Sequence, residues 1–408
     1  MNDQTPVVPA DIRDRMHQLY RHLHAHPELS MQEHQTASVI EDQLSRLGVE
    51  HFRCAGTGVV GILRNGEGPT VAFRADTDAL PLQEKTGLDF ASEARGELDD
   101  GTEVPMMHGC GHDTHIVTLL AAVEVLLADR ESWAGTVVLI FQPGEETAQG
   151  AAAMVEDGLW EKAPHPEVVF GQHVMPARAG TLLYSVGDAM ALADSLRVTV
   201  QGKGSHASQP QDSVDPVVLG AHMVTRLQGI VSREIDPRKA AVLTVATFHA
   251  GLKENIIPDS AEFSMNIRTL DPAVRDQVLT AVERVIRAEA AASGAPEPTI
   301  EVISSFPRNY NDPEATQMLV EHLRARFGDE SVEQVPPFMG SEDFGALATA
   351  IGVPSVFWMF GGHDEQTLQG PDPAPVNHSP FFAPVIEPTL STGAQAAVTA
   401  LLSRLGQR

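Results

Sequence analysis

The chain has 408 residues, long enough for two or three domains of ordinary size, and 42% of them are hydrophobic, so it buries real cores and is not a disordered chain. Twenty-eight Lys and Arg against 55 Asp and Glu give a net charge of -27, a surface that repels phosphate backbones and anionic lipid and argues against nucleic-acid or membrane partners. Cys54 and Cys110 are too few for a disulfide framework, no apolar run approaches the ~20 residues of a membrane span, and Met1–Ala10 lacks a secretory layout, so the chain reads as soluble and cytoplasmic.

In chain order, the first region (1–192) alternates helix-like and strand-like segments. Helices are predicted at 10–25, 32–47, 112–128 and 148–157, and strands rich in Val, Ile and Phe at 58–64, 70–75, 135–142 and 167–174. Strands separated by helices imply an α/β domain whose mostly parallel sheet is covered by helices, with catalytic groups at the carboxyl ends of the strands. Between 193 and 307 the order becomes strand 194–203, helix 215–233, strands 241–249 and 261–269, helix 272–293 and strand 299–305. That is β-α-β-β-α-β, a ferredoxin-like unit that reads as an inserted satellite domain. The α/β pattern resumes over 308–408, with a helix near 313–327, a buried strand at 353–360 and a final helix at 384–405.

Chemistry-bearing residues gather at the predicted strand ends. Cys110 and His112 stand two apart in His108-Gly109-Cys110-Gly111-His112-Asp113, a thiolate and an imidazole in a Gly-flanked turn leading into a helix. Such a pair suits zinc and similar metals, and it equally suits a buried Cys beside helix-capping residues. Glu145 and Glu146 follow the strand ending at Phe141, where one carboxylate can bind metal while its neighbour acts as a base. His173 ends another strand, and His378 sits in the late loop Asn377–Phe382. Asp76, in Arg74-Ala75-Asp76-Thr77-Asp78, is placed to accept the second ring N–H of a ligating His, or to make an ordinary turn. In the satellite, His206 lies on a Gly-rich loop, and Asn255 and Arg268 flank the third strand; an Asn and an Arg pointing the same way would bind a carboxylate.

Together these motifs resemble the N-acyl-amino-acid amidohydrolase branch of the aminoacylase and zinc-carboxypeptidase family, which includes hippurate and auxin-conjugate hydrolases. The resemblance runs nearly end to end, from His24-Ala25-His26-Pro27-Glu28-Leu29-Ser30 through the 74–81 segment, Cys110/His112, Glu145-Glu146, His173, Gly204-Ser205-His206, Asn255–Pro258, Gly340-Ser341-Glu342-Asp343-Phe344 and His378. It implies two divalent ions, zinc or manganese with cobalt or nickel also suited, held by Cys110, His112, Glu146, His173 and His378. Glu145 would be the general base. His206 would reach the substrate carbonyl and in that family can come from the partner subunit of a dimer. Asn255 and Arg268 would contact the substrate carboxylate. Peptidase branches of the family usually carry a His where Arg74 stands, which favours the amidohydrolase branch.

The expectation is therefore a metal-dependent enzyme that cleaves the amide bond of a small-molecule N-acyl amino acid, and a homodimer joined through the satellite. A metal-activated water with Glu145 as base needs no side-chain nucleophile. A dipeptidase, a deacetylase of one metabolite, or a metal-dependent binding protein are the rival readings.

Overall fold

A computed structural model of the protein describes residues 7–407; residues 1–6, part of the stretch inspected above for a secretory signal, and residue 408 lie outside it. The chain divides into two compact units, Met1–Ala189 with Asn309–Pro337 and Asp343–Arg408, and Met190–Arg308 with Phe338–Glu342.

The larger unit is built on a nine-stranded sheet. Its successive strands are Glu50–Cys54, Gly58–Asn65, Trp133–Gln142, Thr70–Asp76, Val169–Arg178, Ser355–His363, Leu182–Tyr184 and Val332–Gln334, with Gly406–Gln407 pairing onto Trp133–Gln142. The four strands from Trp133–Gln142 to Ser355–His363 are parallel. Antiparallel pairs flank them on both sides. Val137–Phe141 is wholly buried, as a run covered on both faces must be. The helix His112–Ala128 is apolar nearly all round, and it packs against the strands Thr70–Asp76 and Val169–Arg178 and the helices Ala10–Ala25 and Thr389–Leu402. The fold class is thus the expected α/β one. Among the flanking strands Gly58–Asn65 falls at the expected 58–64, whereas the half-exposed Glu50–Cys54 and the three-residue Leu182–Tyr184 and Val332–Gln334 were less legible.

The smaller unit has a four-stranded antiparallel sheet in the order Ala241–Ala250, Ser260–Thr269, Leu192–Gln201, Thr299–Phe306. Alternation decides its faces: Leu196, Val198 and Val200 are buried under the helices Pro216–Glu234 and Pro272–Ala292, while Arg197 and Gln201 are exposed. Both helices start at an Asp-Pro pair, with the Asp215 and Asp271 carboxylates capping main-chain N–H groups. Phe338–Glu342 belongs here because Ala191 N–H donates to Gly340 O (2.8 Å) and Arg268 Nη1 to Met339 O (2.6 Å). Among the described residues, no helix is long and apolar enough to cross a membrane.

Candidate metal centre and active site

The parallel strands bring their carboxyl ends into one row. Asp76 pairs in register with Gln142, and Arg74 with Gly171, which sets Asp76 level with His173. The helix His112–Ala128 begins against this row. Its N-terminal neighbour Gly111 has φ +88°, and a Cβ there would lie 2.4 Å from Val174 Cγ1. Only glycine both turns the chain this way and lets Cys110 and His112 come so close to the strand end. Opposite, Asn377 donates from Nδ2 to Cys110 O (3.0 Å) and Val174 O (3.2 Å), and His378 N–H donates to Gly109 O (2.8 Å). These bonds hold the His378 loop against the same turn.

Six of the predicted residues therefore meet. One ligand atom each from Cys110, Glu146 and His378 lies within 4.8 Å of the others, and the same holds for His112, Glu145 and Glu146. Cys110 Sγ is 3.3 Å from His173 Nε2, and His378 Nε2 is 3.3 Å from Glu146 Oε1. The main chain fixes two of the rings: His112 Nδ1 lies 2.9 Å from Asp78 O, and His173 Nδ1 lies 2.7 Å from Val174 O. A proton on each Nδ1 satisfies those carbonyls and turns each Nε2 lone pair into the cluster.

The donor set fits divalent metal. His112 Nε2 and Glu146 Oε1 are buried with no hydrogen-bond partner, a situation that costs about 1–3 kcal/mol per group unless something else binds it. A thiolate, imidazoles and a carboxylate are the ligands that zinc, manganese, cobalt and nickel share. The site's electrostatics point the same way. Burial disfavours a charged His112, but Asp76 and Asp78 outweigh it and raise the ring to about 10. Burial, reinforced by Glu146 and Glu145, pushes the Cys110 thiol well above its ordinary range. A cluster this rich in negative charge holds protons until a cation displaces them.

Asp76 departs from its expected task. It does not take the second N–H of a ligating ring, because main-chain carbonyls serve His112 and His173. Its Oδ1 instead binds His115 Nδ1, and its Oδ2 accepts from Arg74 Nη1 (2.8 Å) while lying 3.5 Å from His112 Nε2. His115 Nε2 in turn accepts from Val174 N–H (2.8 Å), so both nitrogens of His115 are committed and it has no lone pair for a metal. Burial opposes ionisation of Asp76, but Arg74, His112 and His115 hold it well below the usual carboxylate range.

Arg74 is itself wholly buried and ties two strand ends to the loop that carries Asp343. Its Nε donates to Gln142 Oε1 (2.8 Å) and its Nη2 to Asp343 Oδ1 (3.0 Å), in addition to Asp76. Motif reading missed His115, Asp78, Gln142 and Asp343. A signal existed for His115, one helical turn after His112 on the same face.

In the smaller unit, His206 Nδ1 accepts from Ser208 N–H (3.1 Å), which leaves the exposed Nε2 as an N–H donor. Asn255 is beside it, since His206 pairs with Ile256 and Ala207 N–H donates to Asn255 O (3.1 Å). Arg268 is elsewhere. His206 lines a cavity with Ala261 and Glu262, whereas Arg268 lies six residues further along the same strand, about 20 Å at the usual rise. There it donates to Asn266 Oδ1 (2.8 Å), Met339 O (2.6 Å) and Ser341 Oγ (3.3 Å). Within one chain, then, Arg268 does not join Asn255 on a shared carboxylate.

Comparison with known proteins gives consistent relatives. The model of peptidase family M20/M25/M40 matches residues 72–401. Thermostable carboxypeptidase 1 of Saccharolobus solfataricus is 34% identical over 362 residues, covering 87% of this chain and 88% of that protein. Hippurate hydrolase of Campylobacter jejuni is 36% identical over 339 residues, covering 82% and 85%. Among solved structures, a putative aminohydrolase from methicillin-resistant Staphylococcus aureus superposes with a TM-score of 0.86 at 33% identity, covering 99% of this chain and all of that one. The YXEP protein of Bacillus subtilis, described as a dinuclear metal-binding peptidase, gives 0.75 at 29% identity, covering 97% and 99%.

Proposed function

The chain belongs to peptidase family M20/M25/M40, and from that membership and its donor set we propose a two-metal amidohydrolase that cleaves N-acyl amino acids to a carboxylic acid and a free amino acid. The observation that carries the reading is the convergence of Cys110, His112, Glu146, His173 and His378 with Glu145 beside them, two of the ligand atoms being buried without a hydrogen-bond partner. Two divalent ions held by those five residues, zinc or manganese in our reading, would supply Lewis acidity towards the attacking water and the amide carbonyl. Glu145 takes the water's proton as its oxygen adds to the carbonyl carbon, then returns it to the departing nitrogen as the C–N bond breaks. His206, with its proton on Nε2, donates to the developing oxyanion. Arg268 binds the carboxylate of the amino-acid half, and Asn255 assists from beside His206.

Arg268 and the His206–Asn255 pair are too far apart within one satellite to grip one small substrate. Hence we read the pair as supplied by the satellite of a second copy, in a homodimer joined through that unit. The outer strand Ala241–Ala250, largely exposed with Val242 and Phe248 among its apolar residues, offers an edge unpaired among the described residues, at which we read the copies as joined. Mixing Glu145→Ala with His206→Ala subunits tests this: each parent is inactive, and hybrids carrying one intact site regain activity. No recovery in hybrids shown to form would exclude it. Two free buried thiols suit a reducing compartment, and we place the enzyme in the cytoplasm.

The carboxypeptidase names among the relatives favour one further reading, removal of the C-terminal residue from short peptides by the same chemistry. Arg74 speaks against it. A guanidinium committed to Asp76, Asp343 and Gln142 has no lone pair, so the position that is usually His in the peptidase branches cannot ligate here. The deciding experiment is amino-acid release from parallel panels of N-acyl amino acids and dipeptides, using stripped protein reloaded with each metal. Release from the acyl panel in the reloaded protein alone supports the proposal, and release from dipeptides alone replaces it.

A further inference from the structure

The segment Glu28–Glu33 is part of the His24–Ser30 motif and its sequel, and nothing in the reaction above uses it. Its contacts are specific. The Glu28 carboxylate caps the helix His34–Arg46, accepting from Gln35 N–H (3.0 Å) and Thr36 N–H (2.8 Å). Glu33, at the cap position itself, is thereby released from capping, and its side chain points elsewhere. Fully buried, its Oε1 accepts from Gly144 N–H (2.8 Å) and Met31 N–H (2.9 Å), and its Oε2 from Thr57 Oγ1 (2.6 Å).

Gly144 opens the turn that carries Glu145 and Glu146. It sits at φ +58°, and a Cβ there would lie 2.5 Å from Met31 Sδ. Met31 is itself held at φ +63°, a conformation that costs a non-glycine residue about 1–3 kcal/mol and persists where surrounding structure enforces it. The far end of the turn is tied to the same segment: Asp78 Oδ2 accepts from Glu146 N–H (2.9 Å) and from Ser30 Oγ (2.6 Å). Ser30–Glu33 is therefore a bracket on both ends of the turn.

We propose that Glu33 is a positioning residue for the Gly144–Glu146 turn, fixing the height of Glu145 towards the reacting water and of Glu146 towards the metal. The inference rests on the proposed roles of Glu145 and Glu146. A role confined to helix capping or core filling does not account for it, since Glu28 does the capping and a buried carboxylate is a costly filler.

The test uses three variants of the full-length protein and two readouts, steady-state hydrolysis of an N-acyl amino acid and competition for Zn2+ against a chelator. Glu33→Gln keeps an acceptor oxygen for both N–H groups, and its amide can donate to the Thr57 hydroxyl, which accepts as readily as it donates. It should stay within about threefold of the parent in both readouts, as a variant preserving the geometry must. Glu33→Ala, and Glu33→Asp with its shorter reach, should lower kcat about 100-fold with little change in KM, because a misplacement of about 1 Å costs that much. Both should also weaken Zn2+ binding by roughly 10–100-fold, the usual cost of losing a group that orients a ligand. Should Glu33→Ala and Glu33→Asp not fold, Thr57→Val removes only the hydroxyl on Oε2 and should lower kcat about fivefold, the value of one hydrogen bond. Folded Ala or Asp variants with parental kcat and Zn2+ affinity would overturn the proposal, as would Glu33→Gln being as damaged as Glu33→Ala. If the unmutated protein hydrolyses no N-acyl amino acid, the functional reading fails, and Zn2+ competition alone still decides the role of Glu33.

Discussion

Replacing Gly111 with alanine probes how the metal turn is built. At φ +88° a Cβ costs about 1–3 kcal/mol of backbone strain, and its 2.4 Å approach to Val174 Cγ1 adds about 1–3 kcal/mol of overpacking. The sum, roughly 2–6 kcal/mol, lowers the melting midpoint by on the order of 5–10 °C. Relief comes through movement of the turn away from Val174, and that movement carries Cys110 and His112 out of register with Glu146 and His173. Gly48 provides the control: at φ +69° it shares the strain, but nothing lies within 4 Å of its missing Cβ. Gly48→Ala should therefore lose only about 1–2 kcal/mol and keep full metal affinity. Calorimetry and Zn2+ competition on both variants separate the two contributions. If Gly111→Ala is no less stable than Gly48→Ala and binds Zn2+ normally, close approach to Val174 is not what position 111 requires.

Other outcomes follow from the buried charges. His24 lies between Asp113 (2.7 Å) and Glu84 (3.2 Å); burial opposes its charge, but the two carboxylates raise it to about 9. A folded value above the unfolded ~6.5 gives stability that is complete below about pH 6.5 and lost as pH rises through about 9, on the order of 3 kcal/mol. Unfolding free energies at pH 6 and pH 9.5 should differ by much less in His24→Gln than in the parent, and an equal difference would contradict the assignment. Arg74→Met strands the buried Asp76 and Asp343 carboxylates and should cost about 3–5 kcal/mol, with Arg74→Lys a poor substitute because one ammonium cannot match the three-way fork; denaturant titration measures both. Because His112 is raised to about 10, a metal must displace its proton, so Zn2+ affinity should rise at least about tenfold per pH unit between pH 6 and 8. A flat chelator competition over that range would contradict a proton on His112 that the metal has to displace.

The sequence was most informative where chemistry and secondary structure coincide. Cys110, His112 and Glu146 stand out because unusual side chains fall at the ends of apolar strands or the start of a helix, and the satellite because its strand and helix patterns are local signals in the order β-α-β-β-α-β. Partnership was less legible. That Asp76 serves Arg74 and His115 depends on strand register and on a helix packed across it, neither of which spacing encodes. Arg268 and Asn255 look like neighbours on either side of one strand, but ten residues of extended chain carry them to opposite ends. Glu33 gave no signal, since its partner Gly144 is 111 residues away and the bond is to a main-chain N–H.

The central claim is that Glu145 moves the proton while its neighbours hold the metal. It is tested most directly by Glu145→Gln, measured for bound metal and for amino-acid release from N-acyl amino acids in the same preparation. The account predicts two ions per chain as in the parent, with hydrolysis reduced about 100- to 10,000-fold, the range for losing a general base. A Glu145→Gln protein that keeps both ions and hydrolyses at the parental rate would contradict it.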